Sequence, residues 1–271
     1  VDKARSQIAK ALGCQPDEVY FTSCGSEGDN WALISGARYM RRRGKHIISS
    51  AVEHDAVRKS LDFLEKEGYE ITRLQPDGAG AIPLERVRAA LRPDTILVSL
   101  MMVNNETGAV NDIAAVARML KAENSIALLH TDAVQGFLKV PFSAKTLGAD
   151  MITISGHKIH APKGVGALYL SDRLVQAFQP PYLGGEQERG LRPGTENLPY
   201  ALGLAAAATR LAGSIKSRDK AVRALNDRLR AGLSVFPEVE INSPAGAVPE
   251  VLNFSENCIK SETMLAWLSE K

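Results

Sequence analysis

The sequence predicts an α/β fold in which a mostly parallel sheet is sandwiched by helices and followed by a smaller α/β domain. Three observations predict it. From Val19 to about Tyr169, short apolar runs alternate with amphipathic helical stretches, punctuated by turn signals at Gly68, Asp77-Gly78 and Arg92-Pro93-Asp94, the rhythm of strands joined by covering helices. Several apolar runs end in polar residues, and ligands collect at the carboxyl ends of strands in open α/β sheets. With 271 residues, 45% hydrophobic and 24% charged, the chain can bury a sizeable core.

The elements follow in order. Val1 to Leu12 begins as if within a helix, and Val19 to Thr22 is a short strand. After it, Ser23 to Asn30 is small and polar, and the helical pattern Trp31 to Met40 follows. The backbone N–H groups of Gly25 and Ser26, the Ser26 hydroxyl and the helix dipole would converge on an anion; an ordinary cap by Ser23 or Ser26 fits the same residues. Arg41-Arg42-Arg43-Gly44-Lys45 ends the helix with cations that suit its dipole and Gly44 as terminator. The strand Lys45 to Ser50 leads through His54 into the helix Asp55 to Lys66. His54 there would stack on a flat ring, or serve as an ordinary surface or core imidazole.

A further strand starts at Val98 and runs toward amides and a carboxylate at Asn104-Asn105-Glu106-Thr107-Gly108. Ile126 to Asp132 is a buried strand ending in a carboxylate, which either caps the next segment or faces a basic ring nitrogen, with Gln135 three residues on. The run Ile152-Thr153-Ile154 breaks into Ser155-Gly156-His157-Lys158. An amine on a rigid strand end, partly buried so that its neutral form is favoured, suits a Schiff base, and pyridoxal phosphate is the commonest partner of such a lysine. That cofactor needs a lysine, an anion for its ring nitrogen, a partner for the ring face and donors for its phosphate. Lys158, Asp132, His54 and the Gly25–Ser26 turn are candidates for all four. His157 and His160 belong to the lysine loop, with no further ligands for a zinc site.

Past the loop Gly184 to Gly194, the Ala-rich stretch Ala201 to Arg230 reads as one long helix. Val239 to Ile241, Val251 to Phe254 and the helix Ser261 to Ser269 would then form a small, incomplete α/β domain. The expected division is a large cofactor domain over 1–200, then a linking helix and partial small domain over 201–271.

Phe21-Thr22-Ser23 with Ser26-Glu27 and Asp29-Asn30, Glu53-His54, Val103 to Gly108, Asp132-Ala133 with Gln135, Ser155-Gly156-His157-Lys158 with Pro162-Lys163-Gly164, Gly184-Gly185 with Gln187 to Gly190, and Arg192 to Asn197 occur in one order. In these motifs the chain resembles the cysteine desulfurases, class V aminotransferase-like pyridoxal phosphate enzymes of fold type I. The resemblance makes Lys158 the lysine that carries the cofactor and Asp132 the partner of its ring nitrogen. Gln135 would bond the ring oxygen, and Asn105 would lie near that oxygen and the substrate carboxylate. His54 would stack on the ring and help move protons. Gly25, Ser26, Ser155 and His157 would hold the phosphate, and Thr195 would reach the phosphate of a neighbouring subunit, making the unit a homodimer. Cys24 and Gly25 stand where the family has Gly and Ala, and Ser26 where Thr is common.

The reaction so implied converts L-cysteine to L-alanine and passes sulfur as a persulfide to acceptors for iron–sulfur cluster assembly or tRNA thiolation. A selenocysteine lyase or another class V lyase or aminotransferase would share these residues, as would a non-catalytic cofactor-binding scaffold. The family's nucleophilic cysteine lies after the strand and helix that Val251 to Ser269 begin, so none of Cys14, Cys24 and Cys258 matches it. With its opening also lacking the family's N-terminal arm, the sequence reads as the central part of a longer enzyme. Three cysteines without paired spacing suggest a reducing compartment, and with no secretory signal or membrane-length apolar run the expected location is the cytoplasm. A net charge of +2 argues for no particular partner, and the run from Arg41 to Lys45 gives little reason to expect nucleic acid.

Overall fold

The computed structural model describes residues 1–175, 178–180 and 182–270. Among them, seven strands form the main sheet: β1 (Val19–Thr22), β2 (His46–Ser50), β3 (Glu70–Leu74), β4 (Thr95–Ser99), β5 (Leu128–Asp132), β6 (Met151–Ser155) and β7 (Gly166–Leu170). Their spatial order is β1-β7-β6-β5-β4-β2-β3. Strands β3, β2, β4, β5 and β6 are mutually parallel, and only β7 is reversed, antiparallel to both β6 and β1. Every residue of β2, β4, β5, β6 and β7 is buried, whereas β3, at the edge, is partly exposed. Burial on both faces explains why these strands read as continuous apolar runs rather than alternating ones.

The helices are α1 (Asp2–Leu12), α2 (Gly25–Met40), α3 (Asp55–Lys66), α4 (Leu84–Ala90), α5 (Ile113–Ala122), α6 (Ala144–Leu147), α7 (Asp172–Val175), α8 (Leu198–Ala212), α9 (Ile215–Leu233) and α10 (Ser261–Ser269). A separate antiparallel pair, β8 (Val239–Ile241) and β9 (Phe254–Glu256), lies beyond α9 in sequence. Successive strand residues point to opposite faces, and the core divides accordingly. Val98, Leu129 and Ile152 pack with α1, α5 and α8 in one cluster, while Leu97, Leu128 and Met151 pack with α2 and α3 in the other. Among the described residues, no helix is long and apolar enough to cross a membrane.

Four readings of the sequence are corrected, among them the strand expected over Val251 to Phe254, which is strand only from Phe254 to Glu256. The run through Val98 is strand only as far as Ser99. Leu100 and Met102 still donate to the β5 carbonyls of His130 and Asp132, and the chain turns at Asn104, whose side chain accepts N–H bonds from Glu106 and Thr107 at 3.0 and 2.9 Å and so offers the backbone an alternative to the ladder. The long helix over 201–230 is two helices, α8 and α9, broken at Gly213 and Ser214. Their surroundings differ: α8 buries Ala201, Leu204, Ala205 and Ala208, while no residue of α9 is buried. Gly44 does not terminate α2, which ends at Met40. A Cβ there would collide with the Asp94 carbonyl, so Gly44 permits two backbones to approach.

The loop over 184–197 is tied down at two places. Glu188 accepts both guanidinium nitrogens of Arg5, at 2.6 and 2.8 Å, and the Phe21 N–H at 2.9 Å, all buried. Arg189 bonds the carbonyls of Asp17 and Val19 and lies 4.3 Å from the centre of the Tyr20 ring. These bonds hold Glu188 and Arg189 in left-handed backbone, at φ 49° and 58°, which costs non-glycine residues roughly 1–2 kcal/mol each. Further on, Arg192 grips Glu27 in the first turn of α2 at 2.8 and 3.1 Å. Glu188→Ala leaves the buried Arg5 unpaired and should destabilise the fold by about 3–5 kcal/mol in denaturant unfolding.

Candidate active site

Four strand ends and the start of α2 converge on one cavity. It has a volume of about 220 Å³ and is lined by Cys24, Gly25, Ser26, Asp29, His54, Met101, Asn105, Asp132, Val134, Gln135, Ser155, His157 and Lys158. Of the candidate residues read from the sequence, only Thr195 does not line it; Thr195 is exposed on the loop over 184–197.

At one end stands α2. Its N-cap is Cys24, and no side chain caps it, so the cap by Ser23 or Ser26 that the sequence allows does not form. Ser23 instead donates its N–H to Glu27 at 2.6 Å. The first-turn N–H groups therefore face the cavity without a competing carboxylate or hydroxyl cap, an anion site by geometry and dipole. Gly25 is required here, because a Cβ would lie 2.8 Å from the Val134 methyl. Beside α2, the Ser155 hydroxyl and His157 Nδ1 are 2.9 Å apart, two polar groups already oriented by each other. Lys158 follows in the short 3₁₀ turn Gly156–Ile159 and is exposed rather than partly buried. The turn leaves β6 at its carboxyl end and carries the amine clear of the sheet.

The floor is acidic and buried. Asp132 ends β5, and its Oδ1 accepts the Val134 N–H at 2.8 Å. Burial raises its pKa; the Val134 N–H, His54 and Lys158 oppose the rise. Behind it, Asp29 is 1% exposed, and its Oδ1 has no hydrogen-bond partner. Burial, then the charge of Asp132, pushes Asp29 well above the usual carboxylate range. Glu53 Oε1 accepts from Met101 N–H at 3.0 Å and Ser50 at 2.7 Å, and burial lifts its pKa to about 8. His130 bridges Ser99 and Thr153 at 2.8 and 3.0 Å, and burial pushes it down to about 3, so it is neutral. His130 Nε2 and Asp29 Oδ1, 3.6 Å apart, are too distant for a good hydrogen bond.

His54 is the N-cap of α3, its Nδ1 accepting the Ala56 N–H at 3.1 Å. In the neutral ring this leaves the proton on Nε2. Asn105 lies on the Asn104 turn and also lines a second, larger cavity of about 590 Å³ with His54, Arg58 and Glu106. Among the described residues, no cluster of three or more His, Cys, Asp or Glu is arranged to hold a metal ion. Cys24 lines the main cavity, while Cys14 is half-buried with its thiol pushed up to about 12 by burial.

Asp29, Glu53 and His130 received no role from the sequence. For Asp29 a signal existed: it shares a helical face with Ala32, Leu33 and Gly36, all on the buried or half-buried side of α2. Glu53 and His130 offered none, since only the packing of neighbouring strands and loops surrounds them. Together the lining residues bring uncapped helix N–H donors, a buried carboxylate and a lysine amine to one cavity.

The whole chain, residues 1–271, matches the family model for class V aminotransferases. Cysteine desulfurase 2 of Trichormus variabilis is 44% identical over 274 residues, covering all of this chain and 67% of that protein. Cysteine desulfurase IscS of Serratia proteamaculans is 41% identical over 271 residues, with the same coverage. Among solved structures, a NifS-like protein superposes with a TM-score of 0.95 at 36% identity, over 99% of this chain and 73% of the other. DndA from Streptomyces lividans gives 0.89 at 42%, over 99% and 76%. A structure of SspA in complex with cysteine gives 0.84 at 32%, over 100% and 74%.

The buried acids carry a pH dependence. Glu53 binds its proton more tightly folded than unfolded, so its contribution to stability is complete below about pH 4.5 and is lost as pH rises through about 8. Unfolding free energy of the cofactor-free protein, measured from pH 5 to about 9, should therefore fall with pH, and Glu53→Gln should flatten the slope.

Proposed function

The chain belongs to the class V aminotransferase family, as a homologue of the cysteine desulfurases, and on that premise we propose that it is a pyridoxal phosphate enzyme that takes sulfur from L-cysteine. The observation that carries this reading is the convergence of Lys158, Asp132, His54 and the uncapped start of α2 on one cavity. Gly25, Ser26, Ser155 and His157 would hold the phosphate. Gln135 and Asn105 would face the ring oxygen, Asp132 the ring nitrogen, and Lys158 the aldehyde carbon. The residues fit: among the described residues no buried cation pairs with Asp132, Asp29 or Glu53, so a cationic ring nitrogen would be favoured there.

Bound there, the cofactor supplies an electron sink for charge developing on the substrate's α-carbon. The chain's own groups do the rest. Asp132, whose pKa burial raises, would be kept ionised by a cationic ring nitrogen and would in turn hold the proton on that nitrogen. Lys158 or His54, which line the same cavity, would move the α-proton. Asn105 would orient the substrate carboxylate. A cysteine thiolate, a role that the resemblance gives to none of Cys14, Cys24 and Cys258, would attack the substrate sulfur, forming an S–S bond as the bond from sulfur to Cβ breaks; the carbon product would be protonated to L-alanine, and the persulfide would pass its sulfur to acceptor proteins in iron–sulfur cluster assembly or tRNA thiolation, in the cytoplasm.

We also propose the division at residue 200, with the cofactor site in the first part, and a homodimeric working unit. Thr195 is exposed on a loop that Arg5 and Arg192 hold in place, available to a neighbouring subunit. Sedimentation of the cofactor-loaded protein should show a dimer, and a fully loaded monomer would exclude a shared site.

Borohydride reduction of the loaded protein followed by peptide mapping should place the label on Lys158, and L-cysteine should perturb the visible absorbance. Lys158→Ala should abolish that absorbance. Because Lys158 is exposed, the change should shift unfolding free energy by less than about 0.5 kcal/mol. A label on another lysine, or none, would refute the reading.

A further inference from the structure

Gln135 lines the cavity, and its side-chain amide has two chemically opposite ends, an accepting oxygen and a donating nitrogen. Left to rotate, it would present either end to a ligand. Lys139 removes the ambiguity. Its Nζ donates to Gln135 Oε1 at 2.8 Å, and an ammonium has donors only, so the contact forms with one orientation of the amide. The turns after Asp132 bring the two residues together: Phe137 N–H bonds the Ala133 carbonyl and Val140 N–H bonds the Gly136 carbonyl, two successive turns that fold the chain back between Gln135 and Lys139.

The segment is held firmly. Phe137 is buried in the core. Leu138, also buried, is in left-handed backbone at φ 59°, with its carbonyl bonded by Arg218 of α9 at 2.5 Å. Lys139 is half-buried and does not line the cavity; burial lowers its pKa, Glu250 opposes that shift, and Lys158 and Arg218 add to it.

We propose that Lys139 is a positioning residue, fixing the Gln135 amide so that Nε2–H is the group offered to the cavity, which selects ligands bearing an acceptor oxygen at that place. This rests on the cofactor reading above, in which that oxygen is the ring oxygen of pyridoxal phosphate. A donor at that oxygen stabilises its anion and lowers the pH at which the bound cofactor's visible absorbance titrates.

The test is a double-mutant cycle read by cofactor titration of the apo-protein and by the pH midpoint of the visible band. Lys139→Met should weaken cofactor binding about three- to tenfold and raise the midpoint. Lys139→Arg, which keeps charge and donors, should restore both toward wild type. In a Gln135→Ala background, Lys139→Met should add nothing, because the residue has lost the group through which it acts. A Lys139→Met protein matching wild type, or an equal loss in the Gln135→Ala background, overturns the proposal while leaving the cofactor reading intact. A wild-type protein that takes up no pyridoxal phosphate refutes both.

Discussion

The site depends on how closely α2 lies against the sheet. A Cβ at Gly28 would sit 2.8 Å from the Thr153 methyl of β6, and one at Gly25 equally close to Val134. With both absent, the helix start reaches the carboxyl ends of β5 and β6, and its uncapped N–H groups share a cavity with Asp132, Ser155 and Lys158. Trp31, fully buried one turn further on, anchors the helix against Tyr20 and Phe178. Any side chain at residue 25 or 28 would lift that end and pull the anion-binding donors away from the strand ends.

The same closeness buries Asp29, and that burial sets the electrostatics. Asp29, Glu53 and Asp132 lie together with a neutral His130, and among the described residues none has a buried cation to pair with. Such an arrangement weakens the fold on its own and strengthens the binding of whatever brings positive charge to the floor. Functional sites commonly hold shifted acids of this kind. The same cavity also holds groups of the opposite character, the helix N–H groups, His157 and the Lys158 amine.

Away from the floor, ion pairs fix the position of the loop over 184–197. Arg5 and Glu188 form a buried, two-bond ion pair that fixes strained backbone, and Arg192 draws Glu27 below the ordinary carboxylate range against the upward push of burial. Both contacts join the loop over 184–197 to elements far away in sequence, one to α1 and one to the first turn of α2. The loop that displays Thr195 and the helix that begins the anion site are thus held as one unit.

Much of this was legible from the residues. The strand ending at Thr22, the helix from Asp55 to Lys66, the strand ends at Asp132 and Ser155, and the helix from Ser261 to Ser269 follow from apolar runs and their polar terminators, which are local properties of the chain. So were Lys158, Asp132, His54 and Ser26 as candidates, since each stands where a strand or helix changes character. What the sequence could not determine was decided by neighbours distant along the chain. The Asn104 turn replaced a strand, α8 and α9 separated according to what each packs on, and Gly44 answered to Asp94 rather than to its own helix. The burial of Glu53 and His130 belongs to the same class: a side chain's charge state depends on the groups that exclude water from it, and those arrive only when the sheet assembles.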